Sequence, residues 1–200
     1  MRSAFGLILL LLLGLVLALA LGVWMTAHHL RRPPRKTYAW ALGRNLPGDP
    51  SELERSLEFD ELSLDLRGDD PLLRGFGLSP VWDIAGDDPD GPVIVWTPGW
   101  GDSRVGSLAR VRSLAPVARR VIVWDSPGQG EAGGKWPMAV REDRMLVRLA
   151  EWAHETYRSD LVLAGSSMGA GLSMVGAATL AERESEVRVI GVIAEAPYGM

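Results

Sequence analysis

Cysteine is absent from the 200-residue sequence, and histidine occurs only three times. Without cysteine the chain can form no disulfide, no thiolate nucleophile and no thiolate metal site. The three histidines are not clustered, which argues against a zinc site, so we expect no metal and predict no cofactor. The net charge of −4 supplies no basic field that would attract a phosphate backbone, which excludes nucleic acid as a partner.

The start of the sequence is a long apolar run. Residues Ala4–Ala27 carry no charge, and at about 1.5 Å per residue such a helix exceeds the roughly 30 Å hydrocarbon core of a bilayer. We therefore predict a transmembrane anchor over residues 1–30. The small residues at Ala18 and Ala20 leave open a cleaved secretory signal, but the apolar run continues beyond them. Cationic residues then follow, so the positive-inside rule predicts that the remaining chain faces the cytoplasm.

The sequence after the anchor divides into a linker and one folded domain. Residues 31–56 are rich in proline and glycine and show no sustained hydrophobic period, which predicts a juxtamembrane linker. The folded domain is predicted over residues 57–200. Its first part contains three predicted strands, of which the last is a continuous apolar run: Phe59–Leu66, Leu78–Ile84 and Val93–Trp96.

Helical and strand patterns alternate through the rest of the domain. The predicted helices are Ser103–Ala118, Arg141–Tyr157 and Met168–Arg183, and the predicted strands are Val121–Trp124, Leu161–Ala164 and Val187–Ala194. This alternation implies right-handed crossovers between parallel strands. The predicted fold class is therefore α/β, with a mostly parallel sheet covered by helices on both faces and preceded by one transmembrane helix.

A GxSxG motif stands between a predicted buried strand and a predicted helix, in the text LVLAGSSMGAG. In a nucleophile elbow this arrangement holds the central serine, Ser167, in a strained turn, and side chains at the flanking glycine positions would collide with neighbouring backbone. Backbone amides and the helix dipole at such a position favour developing negative charge. The alternative interpretation is that Ser167 only caps the helix. Ser166 is one position off and is interpreted as a bystander.

A second strand end, residues 96–103 with the text WTPGWGDS, resembles the oxyanion loop of α/β-hydrolases. The resemblance to this superfamily extends from about Phe59 to the end of the chain. It implies that the backbone N–H groups of Trp100 and Met168 form an oxyanion hole, in which loss of one donor typically lowers the rate by about 10² to 10³. Pro98 stands where the superfamily usually has histidine. This difference bears on the subtype within the superfamily more than on the predicted oxyanion hole, because Pro98 is not one of the two donors.

A third strand end, with the text DSPGQGEAGG, resembles the Asp-x-x-Gly-x-Gly stretch of the same superfamily. The resemblance implies that Asp125 shapes a loop beside the site and is not catalytic. Most of the tryptophans fall in or beside predicted strands and are interpreted as core. Trp100 and Trp136 are the two whose positions on loops would let them line a pocket.

The order of the catalytic triad in this superfamily is serine, acid, histidine, and the sequence does not complete it. All three histidines precede Ser167: His28, His29 and His154. The superfamily usually carries the acid after a seventh strand and the histidine after an eighth, so we expect the C-terminal strands to be missing. Glu195 follows the sixth predicted strand and is the candidate acid, although similar Glu-x-Pro stretches in the superfamily lead into a lid.

Two functions follow from these features. The first is a membrane-anchored serine hydrolase that cleaves an ester, thioester or amide through an acyl-enzyme on Ser167, with a small-molecule or lipid acyl substrate. The alternative is a non-catalytic or truncated hydrolase-like membrane module with a binding or scaffold role. Transfer of the acyl group to an acceptor other than water would use the same groups.

Overall fold

The computed structural model describes residues 2–71, 73–134, 142–183 and 185–196. Within these residues the strands are β1 (Phe59–Leu64), β2 (Ser79–Ala85), β3 (Val93–Thr97), β4 (Arg120–Trp124), β5 (Leu161–Ser166) and β6 (Val189–Glu195). They form one six-stranded sheet in the order β1-β2-β4-β3-β5-β6. β2 pairs antiparallel with β1 and β4, whereas β4, β3, β5 and β6 are parallel. The predicted mostly parallel α/β sheet is confirmed.

Helices cover both faces of this sheet. The α-helices in the described residues are α1 (Arg2–Leu30), α2 (Tyr38–Leu42), α3 (Leu108–Leu114), α4 (Glu142–Tyr157) and α5 (Met168–Glu182). The central strand β3 is buried on both sides, because Val93 and Val95 belong to the core beneath α4 and α5, while Ile94 and Trp96 belong to the core beneath α3. A hydrophobic core therefore lies on each face, as a buried parallel strand requires.

The predicted helix Ser103–Ala118 is wrong at both ends. The α-helix covers only Leu108–Leu114, and one turn of 3-10 helix stands on either side of it. Pro116 lies in the second 3-10 turn, where its missing N–H removes a helical hydrogen bond. The first predicted strand is also shorter than expected, because Arg67 donates its backbone N–H to the Asp65 side chain and turns the chain away from the sheet.

Some residues of the predicted linker form short helical turns and are buried. Thr37 caps the short helix α2 by accepting a hydrogen bond from Trp40 N at 3.3 Å. Ala41 is fully buried in the core beneath α3, and Pro50 is also buried. The proline and glycine content gave no indication of these buried positions, and the boundary between linker and domain stays a prediction.

The N-terminal helix α1 stands clear of the core. Its segment Phe5–Leu30 contains 26 residues with a mean hydropathy of 3.0, and none of it is buried against the described chain. It is apolar and long enough to cross a membrane, and a signal sequence would have the same composition.

The last described strand, β6, leaves an apolar edge exposed to solvent. Ile190, Val192 and Ile193 are 52%, 39% and 45% exposed. Met174 and Val175 of α5 are also exposed. Natural proteins seldom leave such an edge open, so the exposed surface agrees with the expectation that further strands of the fold are missing.

Candidate active site

Ser167 occupies the single residue between β5 and α5. Its backbone adopts φ 51° and ψ −117°, a combination that costs a residue with a Cβ about 1–3 kcal/mol and persists only when the surrounding structure enforces it. The side chain is exposed and makes no capping hydrogen bond to α5. The geometry is therefore that of a nucleophile elbow, and the interpretation of Ser167 as a helix-capping side chain is wrong.

The two glycines of the motif allow backbone segments to approach more closely than any side chain would permit. A Cβ on Gly165 would lie 2.4 Å from the carbonyl oxygen of Gly169 and 2.7 Å from that of Thr97. A Cβ on Gly169 would lie 2.0 Å from the same Thr97 oxygen. Since these neighbours are backbone atoms, they cannot rotate away, and glycine is required at both positions.

Neighbouring segments hold the elbow from two sides. On one side, Ser167 N–H donates to the carbonyl oxygen of Glu195 at the end of β6, at 2.8 Å. On the other side lies the loop after β3, where a Cβ on Gly99 would be 3.4 Å from Ser167 Cβ. The loop that resembles an oxyanion loop therefore lies beside Ser167, with only the space of a missing Gly99 side chain between them.

The two predicted oxyanion donors flank this contact. Met168 is the first residue of α5 and is 1% exposed, and the N–H groups of the first turn of a helix have no partner within the helix. Trp100 directly follows Gly99 and is partly exposed. Their role as donors stays a prediction, which the adjacency of Met168 to Ser167 and of Trp100 to Gly99 supports.

A buried glutamine joins the oxyanion loop to the loop after β4. Gln129 is 1% exposed, accepts a hydrogen bond from Gly101 N at 2.6 Å and donates to Ser126 Oγ at 2.7 Å. Gly101 has φ +72°, which favours glycine. Gln129 therefore fixes the turn that follows Trp100, a role that the sequence did not indicate.

Asp125 organises the loop after β4. Its carboxylate is buried and accepts hydrogen bonds from Arg104 N, Arg104 Nε and Glu131 N at 2.8, 3.2 and 2.9 Å. Burial raises the pKa of Asp125, while the Arg104 guanidinium and the two backbone amides act against that rise. Gly130, at φ +48°, leaves room for this carboxylate. All these partners are structural, in agreement with the non-catalytic role that the resemblance implies for Asp125.

Arg104 is the charged residue at the centre of this network. It is 1% exposed and also pairs with Glu61 and Glu131, each at 2.9 Å. Its guanidinium carbon lies 4.7 Å from the centre of the Trp82 ring. Arg104 thus connects β1, β2 and the loop after β4 behind the site.

The carboxylate of Glu195, the candidate acid, is engaged by α3. Arg110 donates to it at 2.5 and 3.1 Å, and this hydrogen-bonded pair lowers the pKa of Glu195. The group is 44% exposed. Glu195 therefore contributes its main-chain oxygen to the elbow, and a role of its carboxylate in a triad stays a prediction.

None of the three histidines, all of which are described, is hydrogen-bonded to Ser167. His154 lies at the end of α4, and its Nδ1 is 3.2 Å from the carbonyl oxygen of Ser159. Ser159 precedes the amino end of β5, whereas Ser167 follows its carboxyl end. His28 stacks on Trp24 near the end of α1. Within the described residues no group of three or more His, Asp or Glu side chains could hold a metal ion. Trp136, which was predicted to line a pocket, lies outside the described residues.

Comparisons with known proteins identify the fold. A Pyrococcus furiosus esterase is similar over 83% of this chain and 58% of its own, with 21% identity and a TM-score of 0.60. An esterase solved with p-nitrophenol matches 76% of this chain and 46% of its own, with 18% identity and a TM-score of 0.57. A Thermus thermophilus protein matches 73% of this chain and 59% of its own, with 23% identity and a TM-score of 0.53.

These similarities, together with the strand order and the elbow, show that the chain has the α/β-hydrolase fold. No protein-family model matches the sequence, and no curated protein matches it. The chain spans 58% of the length of the Pyrococcus esterase, so the activity of the whole protein is a matter for proposal.

Proposed function

We propose that this protein is a membrane-anchored serine hydrolase that cleaves an ester, thioester or amide bond through an acyl-enzyme on Ser167. The observation that carries the proposal is the strained and exposed Ser167, which stands between a parallel strand and a helix N-terminus. Strain of this kind clusters at functional sites. Two glycines that admit no side chain maintain it.

The proposed reaction has two halves. Ser167 Oγ attacks the carbonyl carbon and passes its proton to a general base, and the N–H groups of Trp100 and Met168 receive the oxyanion. The bond to the leaving alcohol, thiol or amine then breaks, and that group takes the proton from the base. Water attacks the acyl-enzyme in the second half, the base accepts a proton from it, and the carboxylic acid and the free serine are restored.

The reaction needs a general base, and none of the three histidines is hydrogen-bonded to Ser167. The test is therefore made on the protein translated to its natural stop codon. A fluorophosphonate probe should label the wild type and Ser166→Ala, and labelling should disappear in Ser167→Ala. Ser166→Ala is a matched control because Ser166 is adjacent but belongs to β5.

The second candidate is a binding module of the same fold, and the absence of a histidine hydrogen-bonded to Ser167 favours it. A folded, full-length protein that the probe does not label would remove the hydrolase proposal and leave this module. Labelling that depends on Ser167 would exclude it.

Membrane anchoring by α1 is the second part of the proposal. The 26 residues of Phe5–Leu30 would extend about 39 Å at 1.5 Å per residue, which exceeds the roughly 30 Å hydrocarbon core. The excess of cationic residues after the helix favours a cytoplasmic domain. These 200 residues contain no cysteine, so Ser113→Cys, at an exposed position of α3, adds the only thiol among them. A membrane-impermeant maleimide should label it in inverted vesicles and not in intact cells, and the opposite pattern would reverse the orientation.

A further inference from the structure

The chain that leaves α1 is fixed to the two loops beside Ser167. We name residues 30–36 the strap. The Trp100 indole Nε1 donates to the carbonyl oxygen of Leu30 at 3.0 Å, although 70 residues separate the two in sequence. This bond joins the end of the apolar helix to the proposed oxyanion loop.

Charged residues of the strap continue the attachment. Lys36 Nζ donates to Asp102 Oδ1 at 2.8 Å, and the Lys36 carbonyl accepts from Ser103 Oγ at 2.6 Å. Both partners lie in the oxyanion loop. Arg35 donates to the carbonyl oxygens of Ala132 and Gly134 at 3.0 and 3.2 Å, in the loop after β4. Hydrogen bonds from charged donors are stronger than neutral ones, so both loops are held against the strap.

A short path therefore connects the end of α1 with the nucleophile. The Leu30 carbonyl oxygen accepts a hydrogen bond from the Trp100 side chain, and Trp100 follows Gly99. The Cβ direction of Gly99 points at Ser167, since a Cβ built there would lie 3.4 Å from Ser167 Cβ. One indole side chain and one peptide unit separate the helix end from Gly99, which faces the elbow. The carboxyl edge of the sheet, where Ser167 is exposed, thus faces the end of the apolar helix.

A helix of this length places Leu30 at the membrane–water interface when the helix spans the bilayer. Tryptophan side chains favour that level, because the ring is apolar and its N–H can find a partner. The indole of Trp100 has both properties here, with 38% of the residue exposed and its N–H bonded to Leu30. His28, His29, Arg31 and Arg32 surround the helix end and suit a layer of anionic headgroups.

We infer that the site receives its acyl substrate from the bilayer, and that the substrate is an ester whose acyl chain lies in the membrane. This inference rests on the proposed function, because it assigns the substrate of the Ser167 site. The alcohol of the ester leaves toward water after Ser167 Oγ takes the acyl group. Water then releases the fatty acid, which remains in the membrane.

The test lengthens the connection between the anchor and the site. About twelve Gly and Ser residues are inserted between Arg32 and Pro33, which adds a flexible span of roughly 20 Å and leaves Arg35 and Lys36 in place. The full-length protein is studied in phosphatidylcholine vesicles with two esters of one fluorescent alcohol. 4-Methylumbelliferyl acetate is supplied from water, and 4-methylumbelliferyl palmitate is dissolved in the vesicles.

We expect the insertion to leave acetate hydrolysis within about twofold and to lower palmitate hydrolysis about tenfold, because a flexible tether dilutes the site relative to the surface. An unchanged ratio of the two rates would overturn the inference, whatever the absolute rates. If the fluorophosphonate probe does not label Ser167 in the wild-type protein, the proposed function is wrong, and the inference that rests on it is wrong as well.

The insertion variant cannot be used if it fails to fold, which loss of probe labelling would reveal. A second variant tests the same inference in that case. Trp100→Phe keeps an aromatic ring but removes the N–H that binds the Leu30 carbonyl. Its palmitate to acetate ratio should fall at least threefold below that of the wild type. A ratio equal to that of the wild type would contradict delivery from the membrane.

Discussion

The backbone strain at Ser167 should be measurable as folding free energy. Replacement by glycine removes the Cβ that makes φ 51° unfavourable and should recover about 1–3 kcal/mol. Glycine also increases the entropy of the unfolded chain, which costs about 0.5–1 kcal/mol. Ser167→Gly should therefore stabilise the protein by up to about 2.5 kcal/mol in net terms.

The assay is urea unfolding of the detergent-solubilised protein, followed by tryptophan fluorescence. A domain of this size gains about 2–4 °C in Tm for each kcal/mol, so thermal unfolding provides a second readout. Ser167→Ala is the matched control, because it removes the hydroxyl and keeps the Cβ. Its free energy of unfolding should stay within about 0.5 kcal/mol of the wild type.

A serine in regular helical geometry should show the opposite change in the free energy of unfolding when it is replaced by glycine. Ser113 is exposed on α3 and has regular helical geometry, so Ser113→Gly should destabilise the protein by about 0.5 kcal/mol. If Ser167→Gly destabilised the protein to the same extent, the backbone at Ser167 would not be strained, and the reasoning from its φ value would be refuted.

Two further predictions concern the packing around the site, and a third concerns Tyr157 at the opposite end of β5. Gly169→Ala places a Cβ 2.0 Å from the Thr97 oxygen, so it should abolish probe labelling and destabilise the fold by about 1–3 kcal/mol or more. Arg104→Met leaves the Asp125 carboxylate buried without its cation and should destabilise the protein by about 3–5 kcal/mol in urea unfolding. Burial, and then a hydrogen bond to the Asp83 carboxylate, raise the pKa of Tyr157 to about 12. The unfolded chain releases this proton near pH 10, so stability should fall between about pH 10 and 12, and Tyr157→Phe should remove that loss.

Each of these predictions has its own control. Gly133→Ala should be neutral, because no atom lies within 4 Å of the new Cβ; equal damage at both glycines would contradict the steric argument. Glu131→Gln alters a half-exposed partner of Arg104 and should change stability by less than about 1 kcal/mol. An effect as large as that of Arg104→Met would show that burial of Asp125 is not the cause. Identical alkaline unfolding curves for the wild type and Tyr157→Phe would refute the assigned linkage.

The nucleophile elbow could be predicted because its determinants are local. Gly165, Ser167 and Gly169 lie within five consecutive residues, between a strand pattern and a helix pattern that each read clearly from the sequence. The requirement for glycine is set by backbone segments that any strand-turn-helix of this kind brings together. The same local logic predicted the central strand β3, whose five residues are all buried.

Arg104 and Gln129 were missed because their partners are distant in the sequence. Arg104 pairs with Glu61, 43 residues away, and Gln129 binds the backbone of Gly101, 28 residues away. No periodic pattern encodes such contacts.

The strap was interpreted as a linker for a related reason. Proline and glycine content predicts an absence of regular structure, and residues 31–36 indeed form no helix or strand. Their attachment to the domain uses carbonyl oxygens of Ala132, Gly134 and Leu30 and the side chain of Asp102. Because every residue carries a carbonyl oxygen, composition does not reveal where such hydrogen bonds form.

The geometry at Ser167 is enforced by segments that do not include a catalytic base. The carbonyl oxygen of Glu195 accepts a hydrogen bond from the Ser167 amide, Gly99 leaves space beside Ser167 Cβ, and Gln129 fixes the turn that follows Trp100. The elbow can therefore be fully formed in a hydrolase and in a binding protein alike. The two differ in whether a histidine accepts the proton of Ser167, since without it the hydroxyl is a weak nucleophile. Fluorophosphonate labelling of the full-length protein decides between the two, because the probe reacts with a serine whose proton a base accepts and does not respond to the fold alone.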